Sequence, residues 1–287
     1  MPAPNDRTDR TDTTATTGDR TAADDLAAEL LDVALEAARL AGALLRDGRP
    51  DDLGVAATKS SAVDVVTEMD IAAEKLITEL IDARRPDDGL LGEEGASRAG
   101  SSGVRWVIDP LDGTVNYLYG LPSWCVSIAA ELDGETLVGV VEVPSRGETV
   151  HAVRGGGAFL NGRQLRCGEA PEMGLALVGT GFGYLRERRV RQAAVAAELI
   201  PRLRDIRRAG SAAIDLCDVA AGRLDGYYER GLNPWDHAAG VLVANEAGAL
   251  TGGRPGHPAS SELTVAAVDG LFQPLQTALE ELGAWHD

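Results

Sequence analysis

The stretch Trp106-Val107-Ile108-Asp109-Pro110-Leu111-Asp112-Gly113-Thr114 constrains this chain more than any other. Trp106-Val107-Ile108 reads as a buried strand, and a buried strand that runs into an acidic residue delivers its carboxylate to the sheet edge. Pro110 fixes the turn, so Asp112 folds back toward the same volume as Asp109. Two carboxylates and the carbonyl between them are hard oxygen donors of the kind magnesium requires. Gly113-Thr114 opens a helical turn over Val115 to Leu118, whose free amides point at any anion placed there. Taken alone, the string is as readily an acidic β-turn closed by glycine.

The surrounding pattern gives the frame. Asp25 to Leu45 carries Leu26, Leu30, Leu31, Leu35, Leu40, Leu44 and Leu45 at helical spacing, and Gly48-Arg49-Pro50 ends it. A second amphipathic helix is expected from about Asp70 to Ala83, with Ile71, Leu76, Ile77, Leu80 and Ile81 on its buried side. From Cys125 to Leu165 short β-runs alternate with turn residues; Asp133-Gly134, Ser145-Arg146-Gly147 and Asn161-Gly162 fall where hairpin turns belong. This block reads as an antiparallel meander. Downstream, strands are expected at Leu175 to Gly179, Gly226 to Glu229 and Glu262 to Val268. Helices are expected at Arg186 to Leu203, Ser211 to Ala221, Pro234 to Ala247 and Leu271 to Leu282. Two helices, a β block and then mixed elements predict a layered α+β or α/β arrangement. The expected organisation is an N-terminal disordered tail over 1–24 and one domain over 25–287, with sub-domains at about 25–170 and 171–287.

Composition narrows the function. No run approaches the roughly 18 apolar residues of a membrane span, and Met1 to Asp24 lacks the apolar core of a secretory signal. Cys125, Cys167 and Cys217 are odd in number, far apart and in no Cys-X-X-Cys spacing, which disfavours disulfides or a zinc-thiolate site and fits a reducing cytoplasm. A net charge of −18 argues against nucleic acid as an electrostatic partner. That charge serves solubility, or brings carboxylates together on cations; spacing has to decide between the two.

Further acids sit at element ends. Glu93 and Glu94 follow Leu90-Leu91-Gly92, where a solvated loop pair is the default. Asp64 and Asp70 bracket Val65-Val66-Thr67, and Asp70 alone reads as a helix N-cap. Asp236 follows Trp235 at a helix start, where the dipole alone accounts for an acid. Each bland reading is favoured singly; together they require many coincidences.

The strings Gly92-Glu93-Glu94, Asp109-Pro110-Leu111-Asp112-Gly113-Thr114 and Trp235-Asp236-His237-Ala238-Ala239-Gly240 resemble the metal-binding motifs of the inositol monophosphatase family. Lys59-Ser60-Ser61-Ala62-Val63-Asp64, with Val66-Thr67 and Asp70, is similar to its first motif, and the likeness runs from about residue 28 to 280. The resemblance implies an αβαβα sandwich and a site with two or three Mg2+. Glu93, Asp109, Asp112, Asp236 and the Leu111 carbonyl would be ligands. Thr114, bonded to Asp70, would orient and deprotonate the attacking water near Glu93. The amides of Gly113 and Thr114 would hold the phosphate, Glu94 would stand behind the ligands, and Lys59 would lie on a mobile loop over the site. It further implies a homodimer and lithium inhibition.

The chemistry of the residues agrees with that resemblance. Phosphoryl transfer needs positioning and charge neutralisation more than covalent help. The sequence offers no Gly-X-Ser-X-Gly elbow and no Cys-His pair. Gly210-Ser211-Ala212-Ala213 and Tyr228-Glu229 are similar to the family's substrate-side motifs; read singly, Ser211 is a helix cap and Glu229 a solvated strand-end acid. Tyr227 and Tyr228 read as packing. Gly181-Phe182-Gly183-Tyr184 and Arg186-Glu187-Arg188-Arg189 read as contributors to specificity or a dimer interface, or as a solvated face. The expected reaction is Mg2+-dependent hydrolysis of a small phosphorylated substrate, foremost inositol 1-phosphate, with neither nucleic acid nor membrane as partner. Histidinol phosphate is the alternative ester, and a regulatory partner of RNA-associated machinery the alternative role.

Overall fold

Helices α1 (Thr17–Asp47) and α2 (Glu68–Arg84) pack on each other and cover one face of a large sheet. The computed structural model describes residues 17–59 and 65–286, with side chains from residue 23 onward. The helix therefore begins ahead of the Asp25 start expected from the sequence. Residues 1–16 of the expected tail lie outside the described residues, as do Ser60 to Asp64 of the first motif. On α1 the stripe that meets the sheet is Leu30, Val33, Ala34, Ala37, Ala38 and Ala41, all fully buried. Alanines let the helix approach closely and narrow its apolar face. Leu40, expected on the buried face of α1, is accordingly 47% exposed, and Ile71, expected on the buried face of α2, is 52% exposed.

A two-stranded ribbon, β1 (Ala57–Thr58) with β2 (Val65–Val66), joins the helices. The large sheet contains β3 (Gly89–Gly92), β4 (Ser97–Arg98), β5 (Val104–Asp112), β6 (Cys125–Leu132), β7 (Glu135–Val143), β8 (Glu148–Val153), β9 (Gly157–Leu160) and β10 (Arg163–Gln164). Its order is β10-β9-β8-β7-β6-β5-β3-β4, so the expected meander is present and only β3 with β5 is parallel. Asp133 and Asn161 have positive φ, each followed by a positive-φ glycine, as tight hairpin turns demand. Side chains alternate between faces. Trp106, Ile108, Val126, Ile128 and Val140 join the α1/α2 core, while Val107, Cys125, Ala129 and Val141 face the opposite layer.

That opposite layer is α5 (Ala212–Ala220) and α6 (Pro234–Glu246), sandwiched between the large sheet and a second one. The second sheet has the order β12 (Asp205–Arg207), β11 (Leu177–Thr180), β13 (Gly226–Glu229), β15 (Thr264–Ala267), β14 (Leu250–Gly252). Tyr227 and Ala266 pack toward α5 and α6, whereas Tyr228, Val265 and Ala267 belong to the core on the far face. There α4 (Arg186–Leu199) and α7 (Phe272–Glu281) close the last layer. The layers are helix pair, sheet, helix pair, sheet, helix pair: the αβαβα sandwich expected. The short α3 (Thr114–Leu118) stands at the end of β5.

Candidate active site

Strand register brings the first two acids together. In the parallel pair β3/β5, Gly92 lies opposite Ile108, so Glu93 and Asp109 leave the sheet side by side, and the Glu93 amide donates to the Ile108 carbonyl at 3.1 Å. Three residues apart on a regular strand, Asp109 and Asp112 would face opposite ways. Asp109 pairs with Ser127 and Asp112 with Cys125, so β5 gains one residue on β6 between them. This bulge turns both carboxylates to one side while Leu111 stays in the α1/α2 core. Asp236 comes from the first turn of α6, where its Oδ2 accepts the Asn233 amide at 2.6 Å.

Each acid is held by an arrangement with its own local cause. The Asp112 Oδ2 accepts the Ser211 hydroxyl at 2.7 Å and the Ala213 amide at 2.8 Å, at the start of α5, where Ser211 is the N-cap. The Asp109 Oδ1 accepts the Leu111 amide at 3.0 Å. Behind Glu93, buried Glu74 accepts the amides of Glu94 (2.9 Å) and Ala96 (3.0 Å). The Glu74 carboxylate lies so close over Gly92 that no Cβ fits there, which is why glycine precedes Glu93.

The N-cap of α2 is Thr67, a correction to reading Asp70 as the cap. Asp70 is the third helical residue of a capping box, its Oδ2 accepting the Thr67 amide (2.9 Å) and hydroxyl (2.5 Å). Its other oxygen, Oδ1, accepts the Thr114 hydroxyl at 3.0 Å, and the Leu111 carbonyl lies 3.1 Å from the same hydroxyl. Gly113 has φ +97°, and a Cβ on it would stand 2.6 Å from the Ser123 carbonyl, so the turn admits only glycine. The Asn116 Nδ2 donates to Ser123 O (2.6 Å) and Ala209 O (2.9 Å), drawing the 209–210 segment against that turn.

These elements enclose a cleft of about 390 Å³. Lys59, Glu93, Asp109, Leu111, Asp112 and Asp236 line it on the acidic side, with Gly113 and Thr114 beside them. Gly210, Ala212 and Glu229 also line it. Asp70, Glu94 and Ser211 stand behind, acting on Thr114, Lys59 and Asp112 in turn. The Glu229 carboxylate accepts the Tyr227 hydroxyl at 2.6 Å and lies against Gly181. Sequence reasoning missed Glu74, Asn116, Arg208, buried Asp215 and the tie from Tyr227 to Glu229. Only the crowding glycines hint at them.

The electrostatics are those of acids crowded out of water. Burial, then the charges of Glu93, Asp112 and Asp236, hold the Asp109 carboxyl well above the usual range. Burial raises Asp112 to about 6 against the Ser211 and Ala213 bonds, and Asp236 well above its ordinary value. Glu229 rises to about 7 through burial, opposed by Tyr227 and Arg208. The Lys59 Nζ lies 2.7 Å from Glu93 Oε1 and 2.6 Å from Glu94 Oε1. Burial lowers its pKa, but those two carboxylates more than reverse the effect. Among the described residues no three acidic, His or Cys side chains already surround one point closely enough to hold an ion. Glu93 is turned to the Lys59 ammonium instead. The donor set still fits a hard divalent cation: it is all oxygen, buried at Asp109 and Asp112 and mutually repelling, and it already draws in a positive charge.

An αβαβα sandwich with such a cleft defines a class of phosphatases. The chain belongs to the inositol monophosphatase family, whose sequence model matches residues 26–284. It is 43% identical over 274 residues to the inositol-1-monophosphatase SuhB of Mycobacterium tuberculosis, covering 88% of this chain and 94% of that protein. It is 41% identical over 223 residues to the Nus factor SuhB of Escherichia coli, covering 77% and 84%. The crystal structure of the extragenic suppressor protein suhB from Bartonella henselae superposes with a TM-score of 0.82 at 36% identity, covering 88% and 98%. Family membership supports phosphatase activity. Among the described residues no helix is long and apolar enough to cross a membrane.

Proposed function

We propose that the chain hydrolyses a small phosphate monoester, foremost inositol 1-phosphate, to alcohol and inorganic phosphate in a Mg2+-dependent reaction. The observation that carries this reading is the single cleft in which Glu93, Asp109, Asp112 and Asp236 meet the Thr114–Asp70 pair. Those four carboxylates and the Leu111 carbonyl would hold two or three Mg2+. Bound there, the ions supply charge neutralisation at the phosphate and acidify water.

The chain's own residues account for the remaining work. With its proton directed to Asp70, Thr114 presents a lone pair that accepts a hydrogen from the attacking water and orients it. The amides of Gly113 and Thr114 face the phosphate oxygens. Water oxygen bonds to phosphorus, the ester oxygen leaves with the bonding pair, and a proton from water ends on the alcohol. Glu229 and the backbone of Gly210, Ser211 and Ala212 receive the polyol hydroxyls. The Ser211 hydroxyl is committed to Asp112, so that residue contributes through its main chain. We place the protein in the cytoplasm as a homodimer.

The test is phosphate release from inositol 1-phosphate, histidinol phosphate, fructose 1,6-bisphosphate and adenosine 3′,5′-bisphosphate, with and without Mg2+. A dominant Mg2+-dependent rate on inositol 1-phosphate supports the reading; a dominant rate on histidinol phosphate keeps the chemistry and changes the substrate. Folded protein without turnover on any ester overturns it. A regulatory role beside RNA-associated machinery is the second reading, favoured by relatives named Nus factor SuhB in Pasteurella multocida and Escherichia coli. With a net charge of −18, that role would run through a protein partner.

A further inference from the structure

Three cationic side chains line the cleft: Lys59, Arg208 and Arg188. Lys59 is bonded to Glu93 and Glu94. Arg208 acts on the charges of Glu229 and Asp215. Arg188, half-buried, makes no hydrogen bond or ion pair among the described residues. Arg188 is the one of the three on whose charge no carboxylate of the cleft acts.

Its placement is built. The side chain lies in a slot between Gly183 and Gly231. A Cβ on Gly183 would stand 3.0 Å from Arg188 Cδ, and one on Gly231 3.0 Å from Arg188 Cζ. Gly231 also has φ +94°, a conformation that favours glycine. One helical turn along, Gln192 clamps both walls. Its Oε1 accepts the Gly183 amide at 2.9 Å, and its Nε2 donates to the Arg230 carbonyl at 3.1 Å. A guanidinium laid in a clamped slot pays little further ordering entropy when it binds.

We propose that Arg188 is a specificity-determining residue that seats a second phosphate where the alcohol half of the substrate carries one, so that the cleft takes bisphosphate esters beside inositol 1-phosphate. A planar fork of N–H donors matches phosphate oxygens two at a time, while the amides of Gly113 and Thr114 are assigned to the phosphate being hydrolysed and Arg208 lies beside Glu229 and Asp215. A cleft of about 390 Å³ is of the size that encloses a bisphosphorylated sugar or cyclitol. This rests on the proposed phosphatase reading.

The experiment compares Arg188→Gln with the parent protein on fructose 1,6-bisphosphate and inositol 1-phosphate. In parallel, calorimetry measures binding of fructose 6-phosphate and of inositol. Losing a charge-assisted bidentate contact should raise the ratio of the two KM values about tenfold and weaken fructose 6-phosphate about tenfold relative to inositol. Arg188→Lys, which keeps the charge but not the fork, should fall between. An equal rise in both KM values, or no change in the ratio and in binding, overturns the proposal. If the parent protein hydrolyses none of the four esters, the phosphatase reading fails, and the fructose 6-phosphate binding of parent and variant decides Arg188 by itself.

Discussion

The Thr114 hydroxyl lies 3.0 Å from Asp70 Oδ1, while the second oxygen of Asp70 closes the capping box of α2 with Thr67. One carboxylate thus fixes a helix start and aims a hydroxyl. Asp70 is buried and does not line the cleft, so its influence on turnover passes through Thr114.

Thr114→Ala should therefore lower kcat by roughly two to three orders of magnitude with KM little changed, the pattern of an interaction made in the transition state. Thr114→Ser should retain most of the rate. The double variant Thr114→Ala/Asp70→Asn should be no slower than Thr114→Ala, because the two act as one unit. Steady-state kinetics on one ester decides it, and multiplying losses would separate the pair.

Asp109 is fully buried and repelled by Glu93, Asp112 and Asp236, yet its Oδ1 also accepts the Leu111 amide. Asparagine keeps that bond and removes one charge. Asp109→Asn should bring phosphate release below about one per cent of the parent rate and leave the circular dichroism spectrum intact. Its melting temperature without metal should match or exceed that of the parent. Near-normal activity would falsify the ligand assignment.

The legible parts of this fold were the local ones. The hairpins at Asp133-Gly134 and Asn161-Gly162, the strand Gly226 to Glu229 and the acids of the Asp109 to Thr114 stretch depend on neighbours in sequence, and sequence reports neighbours. Glu74, Tyr227 and Arg208 were not legible as site residues, because each acts on a group that only tertiary register brings near. Asp70 and Asp236 illustrate a third case. Both are helix-start acids with one oxygen on the backbone, and that leaves the second oxygen for other work: in Asp70 it accepts the Thr114 hydroxyl. The exposed Leu40 and Ile71 show that helical periodicity identifies a face but not its width.

Lys59 competes directly for Glu93, with Nζ 2.7 Å from Oε1. Lys59→Ala frees that carboxylate and removes a positive charge from the acidic wall. The Mg2+ concentration for half-maximal activity should fall several-fold, measured by titrating metal at saturating ester. A several-fold rise instead would mean that Lys59 organises Glu93 and Glu94 for the ion.

Asp215, on α5, carries the last prediction. The residue is 2% exposed, and burial, then Asp218, Glu229 and Asp112, raise its carboxyl from 3.8 to about 8, with Arg208 opposing. The folded protein therefore binds a proton more tightly than the unfolded chain. That stabilisation is complete below about pH 4 and disappears as pH rises through about 8. His237 has the opposite sign: burial lowers it from 6.5 to about 4, so its stabilisation is intact above 6.5 and is lost as pH falls toward 4. Between about pH 6.5 and 9 His237 is silent and Asp215 is not. In a chelator-containing buffer the melting temperature should fall across this window, with Glu229, raised to about 7, adding to the decline. Asp215→Asn keeps the shape and removes the proton. At pH 8.5 the variant should melt roughly 4–8 °C above the parent, a few kcal/mol in a chain of this size, and the gap should narrow toward pH 6.5. Parallel melting curves for the two proteins across the window would remove Asp215 from the account of stability.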